Sequence, residues 1–149
     1  MIKAARIYEQ ELIKAIMDHP RNLRAIRGNC EQGVDWPIND HIIYLGMFID
    51  EIIGLFIGMP QSEIVLNVHV AMSPSYYMYT DDCYQIAVKW VEDNTDYFKL
   101  VGQTPVFNKL AIKCNERNGF EREGINKNSF VRGNKIYDQI YFGRCLNGC

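Results

Sequence analysis

The spacing of apolar residues changes period several times along the chain, and each change marks an element. Between Glu9 and Asp18, Leu12, Ile13, Ile16 and Met17 share one stripe with charges opposite, which predicts an amphipathic helix. Pro20 interrupts it, and Arg21 to Arg27 predicts a second helical piece. Gly28 to Asp40 is polar and holds Gly33, Trp36 and Pro37, so it reads as a loop. His41 to Ile49 is an apolar run, Asp50-Glu51 a turn, and Ile52 to Met59 the returning strand of a hairpin. Glu63 to Met72 alternates, with Ile64, Leu66, Val68, Val70 and Met72 on one face and Val65, Asn67, His69 and Ala71 on the other. Ser73-Pro74-Ser75 ends it. From Thr80 to Glu92 the period becomes helical, with Cys83, Ile86, Ala87 and Trp90 in register, until Asp93-Asn94-Thr95. Tyr97 to Gly102 reads as a short buried strand. Val106 to Arg117 repeats the helical spacing with Phe107, Leu110, Ala111 and Cys114, and Asn118-Gly119 closes it with a glycine suited to a left-handed C-cap. Strands Phe120 to Val131 and Lys135 to Phe142 meet at Gly133-Asn134, a two-residue hairpin signal. The order predicts an α/β domain around one mixed sheet.

Bulk composition narrows the setting. A chain of 149 residues is one domain's worth, with a short tail at about 145–149. Its 48% apolar and 23% charged residues fit a soluble globular protein, and a net charge of -2 gives no reason to expect nucleic acid or an anionic membrane as partner. No apolar run approaches the roughly 20 residues that span a bilayer, and the first residues hold no apolar signal core, so a cytoplasmic protein is expected. The five cysteines, Cys30, Cys83, Cys114, Cys145 and Cys149, contain no CxxC pair. That argues against a zinc site or disulfide framework, and Cys145 and Cys149 are expected to be free thiols.

The most informative stretch is Phe98 to Gly124, FKLVGQTPVFNKLAIKCNERNGFEREG, with Asn108, Ala111 and Gly119-Phe120 at a distinctive spacing. It resembles the C-terminal half of the GCN5-related N-acetyltransferase (GNAT) superfamily. The resemblance covers nearly the whole chain in element order and about Val68 to Gly124 in sequence. It implies a GNAT-like fold, a central mixed, mainly antiparallel sheet flanked by helices, and transfer of an acetyl group from acetyl-CoA to an amine. The combination of VHV…SP, VGQTPVFN, NGFEREG and the closing YDQIYFGR also resembles small GNAT-like proteins of tailed bacteriophages. That likeness implies a place in the host cytoplasm or the virion.

Acetyl transfer needs a grip on pantetheine, a cradle for pyrophosphate, and proton handling at amine and thiolate. By position, the resemblance assigns the pantetheine contacts to the backbone of Val70, Ala71 and Met72. The family's phosphate loop, Gln or Arg, two residues, Gly, one residue, then Gly or Ala, falls on Tyr77 to Asp82. The glycines are absent there, and none lies between Gly58 and Gly102. Tyr77 and Thr80 hold the cradle positions, while Asp81 and Asp82 place negative charge where a phosphate would bind, although Thr80 or Asp81 also suits an N-cap. His69 has the chemistry to accept an amine proton, and the same residue could instead be a packed strand histidine. Asn115 stands where many members carry a tyrosine acid for the thiolate. Asn108 matches the family asparagine that orders ligand or loop, and a helix-start hydrogen bond would explain it equally. Two functions follow: an acyltransferase taking acyl-CoA and an amine acceptor, or a GNAT-fold protein with a degenerate CoA loop acting through a protein partner in virion assembly or host interaction.

Overall fold

The computed structural model describes residues 1–29, 35–147 and 149. Strand β1 (Lys3–Arg6) leads into α1 (Gln10–Met17) and α2 (Pro20–Arg27), then the hairpin β2 (Ile43–Ile49) and β3 (Glu51–Pro60), and β4 (Val65–Met72). A 3-10 segment (Pro74–Tyr79) runs into α3 (Thr80–Asn94), followed by β5 (Lys99–Pro105), α4 (Lys109–Arg117), β6 (Glu121–Arg132) and β7 (Lys135–Cys145). One seven-stranded sheet has the order β1-β2-β3-β4-β5-β7-β6. All neighbouring pairs are antiparallel except β4 with β5. The mixed, mainly antiparallel sheet expected from the sequence is therefore present, and among the described residues no helix is long and apolar enough to cross a membrane.

The sheet carries a hydrophobic core on each face. On one, Ile13, Ile16 and Met17 of α1 and Leu23 of α2 pack on Tyr44, Leu55, Ile57 and Ala71. On the other, Ala87, Val88 and Val91 of α3 and Ile112 of α4 pack on Phe56, Leu66, Leu100 and Phe142. The pleat of β4 thus sends Leu66 and Met72 towards α3 and α4, and Ala71 towards α1 and α2.

Four expectations need correction. Lys3–Arg6 forms a strand against β2, where the sequence suggested none. α4 begins at Lys109 rather than Val106, because β5 continues to Pro105 along β7 and Asn108 caps the helix. Its buried position is Ile112, and Leu110, assigned to the apolar stripe, is 71% exposed. Cys145 and Cys149 are joined in a disulfide rather than free, since the chain turns at Leu146, whose carbonyl accepts from the Cys149 N–H and whose side chain is buried. The loop expected over Gly28 to Asp40 is irregular where described; Cys30 and Gly33 lie outside the described residues.

Candidate functional site

The site is built around a parting of two strands. β4 and β5 pair only at Val65–Lys99, Leu66–Leu100 and Asn67–Val101, yet β4 runs on to Met72 and β5 to Pro105. Beyond Asn67 they diverge. The hydrogen-bond alternation of the flanking ladders shows which backbone groups face the gap. Ser73 donates to Ile53 and Gln61 to Val65, so odd-numbered residues of β4 address β3 and even-numbered ones address β5. Leu146 donates to Phe98 and Val106 to Asp138, so even-numbered residues of β5 address β7. The gap is therefore faced by the backbones of Val68, Val70 and Met72 on one side and Gln103 and Pro105 on the other.

This corrects part of the sequence reading. The backbone of Ala71 is directed to β3, opposite Leu55, and cannot serve a ligand in the gap. The Met72 carbonyl is occupied by the Asn22 side chain of α2 at 2.9 Å. Pro105 has no N–H, and its carbonyl accepts from Asn108. The groups left facing the gap are the Val68 carbonyl, both groups of Val70, the Met72 N–H and both groups of Gln103. Sequence reasoning did not single out Val68 or Gln103, because register against three neighbouring strands decides their direction.

The gap holds a cavity of about 80 Å³ lined by residues from both faces of the sheet. His69 and Ala25 approach from the side of α1 and α2; Tyr84, Asn108, Asn115 and Phe120 approach from the side of α3 and α4. No charged side chain lines it among the described residues. His69 is half-buried by surface area, but protein atoms enclose its ring, and this burial lowers its pKa to about 4. The imidazole is neutral near pH 7 and makes no hydrogen bond among the described residues.

Asn115 sits across the sheet from His69. Its carboxamide accepts from the Tyr84 hydroxyl at 3.0 Å and donates to the Thr104 hydroxyl at 2.9 Å. Tyr84 was missed in the sequence because the helical stripe was centred on Cys83 and Trp90. The phase defined by Ala87, Val88 and Val91 places Tyr84 towards α4. Burial pushes the Tyr84 phenol above its ordinary value. Asn108 accepts from the Ala111 N–H at 3.2 Å, so its side-chain oxygen caps α4 while the residue lines the cavity.

Beside the gap lies the start of α3. Tyr79 occupies the N-cap position and provides no side-chain cap; the Thr80 hydroxyl donates back to the Tyr77 carbonyl at 2.7 Å. Asp81 turns towards α4, where Arg117 donates two bonds of 2.9 Å and Asn118 one of 2.9 Å. The Arg117 guanidinium and then Asn118 hold its carboxyl below the ordinary range. Its charge is thus compensated by α4 rather than presented at the helix terminus, and only Asp82 remains there as an exposed carboxylate. Tyr77 is exposed and lies under the Arg21 guanidinium, 4.7 Å from the ring centre. Cys114 is not placed for chemistry, since burial raises its thiol to about 11.

No family model matches this chain, and no curated protein matches it. Solved structures do. An acetyltransferase of the GNAT family from Streptococcus pneumoniae superposes with a TM-score of 0.76 at 13% identity, covering 99% of this chain and 100% of that one. Spermidine N-acetyltransferase from Vibrio cholerae, in complex with CoA and spermine, gives 0.82 at 11% identity over 97% and 95%. The ribosomal-protein-S18-alanine N-acetyltransferase of Escherichia coli gives 0.74 at 14% over 98% and 94%. Likenesses at such identity establish architecture: the chain has the GNAT fold.

Proposed function

We propose that this GNAT-fold chain is an N-acyltransferase that moves an acetyl group from acetyl-CoA to an amine. The observation that carries the reading is the gap between β4 and β5, which leaves backbone donors and acceptors of Val68, Val70, Met72 and Gln103 facing an uncharged cavity beside His69. Pantetheine adds to β4 there as an extra strand would. Pyrophosphate lies at the start of α3, whose first N–H groups lack a side-chain cap, near Tyr77, Thr80 and the Arg21 guanidinium. His69, uncharged at neutral pH, takes the proton of the attacking amine directly or through water. The acceptor approaches from the side of α1 and α2, past Gly28 and the β6–β7 hairpin. The Vibrio cholerae neighbour carries CoA and an amine in one structure, which supports this pairing of ligands.

The test is thermal unfolding with acetyl-CoA. Binding at a hundred-fold excess over Kd raises stability by about 2.7 kcal/mol, so Tm must rise. No shift at millimolar acetyl-CoA refutes the proposal. Given binding, His69→Ala lowers turnover by about 100-fold or more, and unchanged turnover removes His69 from the chemistry.

The second reading, a non-catalytic GNAT-fold protein of bacteriophage origin working through a protein partner, draws on the glycine-free loop. That segment is a compact 3-10 turn in which the Tyr76 hydroxyl donates to Glu51 at 2.9 Å. A missing thermal shift favours this reading.

A further inference from the structure

Helix α4 has a second flank. Its side towards the gap carries Asn108, Ala111 and Asn115, and its other side carries Lys109, Ile112, Lys113 and Glu116. That other side overlooks β6, the last strand of the sheet. Arg122 and Ile125 of β6 stand opposite Phe142 and Ile140 of β7, both core residues on the α4 face, so their side chains rise towards the helix. The helix leaves the strand uncovered: Ile125 is 57% exposed, while Ile112 and Ile140 are buried. Between helix and strand lies a cavity of about 470 Å³ that shares no lining residue with the gap between β4 and β5.

The body of this groove is apolar, formed by Val106, Ile112, Ile125 and Ile140. The charges on its rim are unbalanced. Glu116 pairs with Arg122 at 3.3 Å, but the Lys109 and Lys113 ammonium groups have no ion pair or hydrogen bond among the described residues. The two lysines lie one turn apart and repel each other, and Lys109 is the first residue of a helix whose N-terminus disfavours a cation. An anion between them relieves both penalties. A strand adding to the free edge of β6 is a poor occupant, because register shifts at Arg122/Gly124 and Asn126/Phe130 break that edge. A concave, mainly apolar space of this size with a few polar groups suits a small molecule instead.

We propose that the groove between α4 and β6 binds a small amphipathic carboxylate, its apolar body on Ile112, Ile125 and Ile140 and its carboxylate between Lys109 and Lys113. The site stands apart from the acetyl-CoA reading, since it uses the opposite flank of α4 and involves no covalent step.

Calorimetric titration with sodium octanoate tests it, and octanol supplies the same chain without the charge. Octanoate should bind one to one with Kd below about 1 mM, and about tenfold more tightly than octanol. The double variant Lys109→Gln/Lys113→Gln should weaken octanoate about tenfold and leave octanol unchanged, whereas Ile125→Asn should weaken both about fivefold. All three positions are exposed, so the variants should keep the wild-type Tm. An octanoate Kd that is the same in all three proteins puts the ligand elsewhere and overturns the proposal. Equal affinity for octanoate and octanol, or no saturable binding up to about 5 mM octanoate, overturns it too. A wild type that sediments as a dimer, with Ile125→Asn a monomer, gives the groove to a second copy of the chain and likewise overturns it.

Discussion

His69 should make the protein lose stability in mild acid. Its pKa falls from 6.5 in an open chain to about 4 in the fold because its ring is enclosed without a compensating partner. Between these values the unfolded chain binds a proton at this residue and the native chain does not. By linkage, stability then rises with pH through the window and is lost as pH falls from about 6.5 towards 4. A difference of about 2.5 units corresponds to about 3 kcal/mol, and partial exposure of the residue trims that to about 2 kcal/mol. Urea unfolding of the wild type and His69→Gln at pH 7.5 and pH 4 isolates the effect, since the carboxylates contribute equally to both. The wild type should lose about 2 kcal/mol more than the variant across that interval. Parallel losses in the two proteins would refute the claim that burial keeps His69 neutral. If His69 is the base, as proposed, it stays unprotonated to about pH 5, and kcat/KM should show no acid limb centred at 6.5.

Three further outcomes follow from local geometry. Gly28 has φ +63°, and a Cβ there would run into the Val131 carbonyl, so Gly28→Ala should cost more than about 1 kcal/mol in chemical denaturation, against a gain where glycine merely adds chain freedom. Asp81→Ala should cost about 1 kcal/mol near neutrality, because it strands Arg117 and Asn118. That difference should vanish as pH falls below the ordinary carboxylate range, where the wild-type residue is protonated too. Reduction of Cys145–Cys149, or replacement of both by serine, should lower stability by about 2 kcal/mol, the loop-closure value for so short a span; a calorimetric Tm unaffected by reductant would contradict it.

The sequence disclosed those elements whose burial is set by local period. β4 shows clean alternation, and the β6–β7 turn carries its Gly-Asn pair, so both were legible. β1 was not, because KAAR has little amphipathic contrast and becomes a strand only by pairing with β2, some forty residues away. The start of α4 was misjudged because Val106 donates to Asp138 on β7, a contact that holds the chain extended past Pro105 and leaves Leu110 outside. The site divides the same way. His69 and Asn115 were visible as chemistry-bearing residues at suggestive positions. Tyr84 meets Asn115 across 31 residues and becomes visible only once α3 and α4 are packed.

The parted strands bear on function through what they cost. A buried backbone group left without a partner costs about 1–3 kcal/mol, so strands that diverge for no purpose should close or cap their free groups. Here the rim is capped. Asn22 takes the Met72 carbonyl, Asn108 takes the Pro105 carbonyl, and proline at 105 removes a donor that would otherwise face the gap. In the middle, Val70 and Gln103 keep backbone groups directed towards the gap, where Val68 is still close to β5 and Gln103 is exposed. Satisfying the edges while leaving the centre open is the pattern expected of a seat for an extended, amide-bearing ligand, and pantetheine has two amides to offer. The open middle is what the proposed pantetheine seat requires. It also locates the most damaging substitution on the strand itself: Gly102→Val sets a branched side chain against the Val68 carbonyl, 3.4 Å from the new Cβ, and should abolish the acetyl-CoA thermal shift while the protein still unfolds cooperatively. A preserved shift in that variant would place the ligand elsewhere.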